Sequence, residues 1–124
     1  KSAYLKVNMT LAINKNTKLQ IIAVDDIGAI AAIVFNDPEK YIGKEIEIAG
    51  DELTLAEMAE KLSKAYGKEV AYNSLSVDIV RANSPEMADM FQWFIDKGYE
   101  ADIKNLKTLY PGLSSMESWL KSNK

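Results

Sequence analysis

The sequence predicts a mixed α/β chain, α+β if taken by itself: a small mixed sheet with several helices. Three observations carry this. Apolar residues recur at period two in some segments and at period 3.6 in others, and the two kinds alternate along the chain in the order β-β-α-β-α-β-α-α-α. The third is length, since 124 residues suffice for one domain with a buried core.

Met9-Thr10-Leu11-Ala12-Ile13 places Met9, Leu11 and Ile13 on one side of a half-buried strand, and Asn14–Thr17 is a polar turn. Leu19–Val24 is almost continuously apolar, which suits a strand covered on both faces. It either closes a hairpin with the first strand or joins a different sheet. Asp25 and Asp26 then offer short carboxylates to cap a helix over Ile27–Phe35, and this pair reads as capping groups before it reads as a metal or acid/base site. Gly28 inside that helix lowers its propensity, and close packing against a neighbour is the expected compensation. Asn36-Asp37-Pro38 ends it. Lys44–Ala49 alternates Ile46 and Ile48 with Glu45 and Glu47, as a strand wet on one side does.

The strongest local signal is Thr54-x-x-Glu57, a capping box with Leu53 positioned to staple onto Met58. The helix it starts carries Leu55, Met58, Ala59, Leu62 and Tyr66 at helical spacing and stops at Gly67. Lys68–Tyr72 is a short strand, Ser76 caps a brief helix over Val77–Ala82, and Ser84-Pro85 starts another over Pro85–Lys97 that stops at Gly98. Its stripe of Met87, Met90, Phe91, Phe94 and Ile95 either packs in the core or lines an apolar ligand cleft. Trp93 lies on the Asp89, Gln92 and Asp96 side, where a helix of this domain, a further domain, a ligand or a twin subunit would cover it. After a loop through Tyr110-Pro111-Gly112, Ser114-x-x-Glu117 reads as a second capping box before a C-terminal helix with Trp119 and Leu120.

Composition excludes several chemistries. There is no Cys and no His, so thiol nucleophiles, His-based triads and thiolate or imidazole zinc sites are ruled out. A net charge of −3 with Arg81 as the single Arg argues against a nucleic-acid partner. No apolar stretch reaches the roughly 20 residues of a membrane span, and Lys1–Val7 lacks a signal-peptide core, so the chain is expected to be soluble and cytoplasmic, cut from something longer. The six glycines are never closer than seven residues, whereas a dinucleotide fingerprint needs them two and three apart. No Tyr is followed four residues later by Lys. Neither catalytic nor cofactor-binding nor metal-binding residues are identified.

Several segments together resemble the C-terminal half of NmrA-like proteins, atypical members of the extended short-chain dehydrogenase/reductase superfamily. They are Ile22–Gly28 (Ile-Ala-Val-Asp-Asp-Ile-Gly), Gly43–Thr54, Gly98–Ile103 and Ser114 through Trp119-Leu120. The resemblance runs from Met9 to the end and leaves 1–8 as an unassigned lead-in, with 9–124 as the substrate-binding domain. It implies a Rossmann-type NAD(P)-binding protein whose dinucleotide-binding half is not in this chain, with no cofactor bound here. It further implies either a reductase of a small apolar or quinone-like molecule or a redox-sensing regulator that docks a partner protein. Phe91, Phe94 and Tyr99 become cleft candidates and Trp93 a partner-surface candidate. An apolar face left open by the absent half would promote homodimers.

Overall fold

The computed structural model describes residues 7–123. In chain order the elements are β1 (Val7–Leu11), β2 (Lys18–Ile21), α1 (Val24–Phe35), α2 (Pro38–Tyr41), β3 (Asp51–Thr54), α3 (Leu55–Tyr66), β4 (Val70–Ser74), α4 (Val77–Asn83), α5 (Pro85–Asp96), α6 (Ile103–Leu109) and α7 (Met116–Ser122). The mixed α/β class is as the sequence predicts. The lead-in expected over 1–8 lies mostly outside the described residues. Among these, β1 pairs with β4 and β2 with β3 in separate two-stranded sheets, so of the two alternatives for the second strand the hairpin is the one not formed.

The chain divides into two compact units. The first comprises, among the described residues, 7–19 and Leu53–Tyr99. In it β1 and β4 run parallel in the register Val7↔Val70 to Leu11↔Ser74, a pairing that requires a long crossover. α3 supplies the return and packs on β4. The Ser63 hydroxyl fastens the two together: it donates to the Ala59 carbonyl at 2.8 Å and accepts from the Val70 N–H at 2.9 Å. Past the end of β1, Ala12 and Ile13 are buried, and the Tyr72 hydroxyl donates to the carbonyls of Leu11 and Ile13. The polar turn is closed by Asn14, whose side-chain oxygen accepts from the Asn16 N–H and the Thr17 hydroxyl.

α3 starts as its sequence requires. The Thr54 hydroxyl accepts from the Glu57 N–H at 3.1 Å and the Thr54 N–H donates to the Glu57 carboxylate at 2.8 Å, with Leu53 and Met58 both buried. That backbone donor holds the Glu57 carboxyl below the usual carboxylate range. Gly67 closes the helix in the left-handed conformation at φ 64°.

The second unit comprises Gln20–Glu52 and Glu100–Asn123. Its core gathers Ile30, Ala49, Ala101, Leu106 and Leu113, with Ile22, Val34, Ile48, Ile103, Leu109 and Tyr110 packed against them. Long-range polar ties hold it. The Gln20 amide donates to the Ala101 carbonyl at 3.0 Å and accepts from the Ala101 N–H at 2.8 Å, as a neighbouring strand would.

Several sequence expectations are corrected here. Leu19–Val24 is not a two-faced strand: β2 stops at Ile21, its neighbours are half-buried, and Val24 opens α1 with 79% of its surface exposed. Apolar content alone does not distinguish a covered strand from a strand that runs into a helix. Asp25 and Asp26 do not cap α1, which begins at Ala23 with no side-chain cap. Both sit inside the first turn, where they complement the helix dipole. Asp26 is buried, and its carboxylate accepts from the Ser114 N–H at 2.8 Å, 88 residues away. Gly28 needs no close neighbour, since a Cβ there would meet nothing within 4 Å.

The strand expected over Lys44–Ala49 is absent among the described residues, and β3 forms instead over Asp51–Thr54. Period-two patterning makes a strand possible, but a ladder needs a partner. The second capping box lies one residue later than Ser114-x-x-Glu117, at Ser115 and Ser118. Its shift is explained by Asp51, whose carboxylate accepts from the Met116 N–H at 2.9 Å and fixes where α7 starts. Finally, α6 occupies what reads as loop. Its signal is Asp102, which accepts from the Asn105 N–H at 3.1 Å and precedes Ile103, Leu106 and Leu109.

Candidate functional site

Among the described residues no three carboxylate, Cys or His groups come together as metal ligands would. A nucleotide phosphate would need free N–H donors at a strand-to-helix turn. Among the described residues there are three such turns, into α1, α3 and α4. The first carries Asp25 and Asp26, the second is closed by Thr54 and Glu57, and the third has Ser76 accepting from the Asp78 N–H at 3.1 Å. None of the three has clustered glycines.

The arrangement with most chemical character lies on α5, in the first unit. Ser84 accepts from the Met87 N–H and Pro85 occupies the first helical position, as their types predict. The helix ends where the Lys97 and Gly98 N–H groups both donate to the Trp93 carbonyl, at 2.8 and 2.9 Å. Gly98 is left-handed at φ 69°, a conformation that suits glycine, and turns the chain back. Tyr99 thereby returns to α5. Its ring centroid lies 5.1 Å from Trp93 and 5.8 Å from Phe94, and Trp93 and Phe94 are 5.5 Å apart. These tilted and edge-to-face contacts are the favourable geometry for aromatic rings.

The stripe read from the sequence divides. Phe91 is buried and Phe94 and Ile95 are half-buried, whereas Met87 is 50% exposed and Met90 43% exposed. Of the cleft candidates, Phe94 and Tyr99 are brought together, and Trp93, singled out separately as a partner-surface residue, completes the cluster with them. Phe91 sits on the buried side of α5, and among the described residues no ring pair joins it to the other three. The joining of Trp93 to Phe94 and Tyr99 was not legible from helical spacing, because Tyr99 lies beyond the helix and reaches it only through the Gly98 reversal. Exposed Arg81 ties α4 to α5 through Asp89 at 2.8 Å. What results is a cluster of three rings, Trp93, Phe94 and Tyr99, on a helix that also exposes the Met87 and Met90 thioethers. It can hold a flat apolar molecule or an apolar side chain.

Comparison with known proteins agrees with the fold. Residues 4–120 match the NmrA-like family. A nucleoside-diphosphate-sugar epimerase from Staphylococcus aureus is similar with a TM-score of 0.68 and 19% identity, over 92% of this chain and 43% of the other. The negative transcriptional regulator NmrA, in complex with NADP, is similar with a TM-score of 0.68 and 15% identity, over 94% of this chain and 42% of the other. Its complex with NAD gives the same values. The chain thus spans less than half the length of these structures, and at such identities the likeness is one of fold. With nearly its whole length matched by the family model, the chain belongs to the NmrA-like family.

Proposed function

We propose that this chain is the C-terminal, substrate-binding half of an NAD(P)-dependent oxidoreductase of the extended short-chain dehydrogenase/reductase type, acting on a small apolar or quinone-like molecule. By itself it has no catalytic activity. The observation that carries this is the half-open cluster of Trp93, Phe94 and Tyr99, on a helix that also exposes Met87 and Met90, a wall suited to a flat apolar substrate. Two further features support it. None of the three strand-to-helix turns carries the clustered glycines of a phosphate cradle, which supports cofactor binding by another part of the protein. Lys44–Ala49 also keeps the alternation of a strand while forming none among the described residues, as a segment would that pairs with a sheet outside them. Titration calorimetry of this chain with NADP and NADPH tests the reading: no heat of binding is expected, and micromolar affinity for either would overturn it.

A second reading, that the full-length protein is a redox-sensing regulator and this half docks a partner protein, is favoured by Trp93, 39% exposed on a helix face. In the full-length protein Trp93→Ala separates the two. Raised KM for a quinone supports the oxidoreductase. Intact turnover with abolished partner capture supports the regulator.

A further inference from the structure

We draw no further inference here: the strongest candidate, the exposed apolar face of α5 formed by Met87, Met90 and Trp93 with Tyr99 of the following turn, belongs to the surface already described, and nothing in the structure shows what else covers it.

Discussion

The Tyr72 hydroxyl donates to two carbonyls at the end of β1, and burial pushes its phenol above the ordinary tyrosine value. Donation requires the proton, so the bond acts in the same direction. A group whose folded-state pKa is raised binds its proton more tightly in the native state, which ties stability to pH with a definite sign. The contribution is fully present below pH of about 10, where the unfolded phenol ionises, and is lost as pH rises through the higher folded value. Tyr72→Phe is expected to lower stability by about 1 kcal/mol at neutral pH and to flatten the alkaline limb of the denaturation profile. Urea melts at pH 7 and above pH 10 check this; an alkaline limb unchanged in the variant would refute it. Asp26 teaches a related lesson. Its residue type and position suit a helix start, yet its carboxylate is committed to the Ser114 N–H, and nothing local announces a bond across 88 residues.

At the scale of elements, local chemistry is legible wherever the partners are near in sequence. The Thr54 and Glu57 box, the Gly67 stop, the Ser76 and Ser84 caps and the Gly98 stop all form as their types predict. Where an element depends on distant atoms the sequence misleads, as with Lys44–Ala49 and the start of α7. Two glycines make the contrast measurable. Gly28 lies in α1 with open space around a notional Cβ, so Gly28→Ala should stabilise by roughly 0.5–1 kcal/mol through helix propensity and lost unfolded-state freedom. Gly50 is the reverse, since a Cβ there would lie 2.4 Å from the Ser114 carbonyl oxygen. Backbone must move, and Gly50→Ala should destabilise by about 1–3 kcal/mol or more. Thermal melts of the two variants should shift in opposite directions; equal shifts would contradict the packing described.

For the whole molecule, the exposed large apolar residues are the dominant fact. Val24, Phe35 and Ile42 are each about 80% exposed, and Met87, Met90 and Trp93 add a continuous face on α5. Such surface promotes association of the isolated chain. Sedimentation at high micromolar concentration is expected to show a dimer that Trp93→Asp weakens; a monomer throughout would refute this. Among the described residues no helix is long and apolar enough to cross a membrane.

By itself the sequence determined the α/β class, the starts and stops of α3, α4 and α5, and the lack of thiol, imidazole and glycine-rich phosphate chemistry, because each depends on residue types within a few positions of one another. Only the tertiary structure decided that Asp26 and Asp51 serve the approach to α7, that β1 pairs with β4 and not with β2, and that Tyr99 returns to complete the aromatic cluster with Trp93 and Phe94. Those outcomes rest on contacts closed over chain distance, and side-chain periodicity carries no record of which distant backbone will meet it.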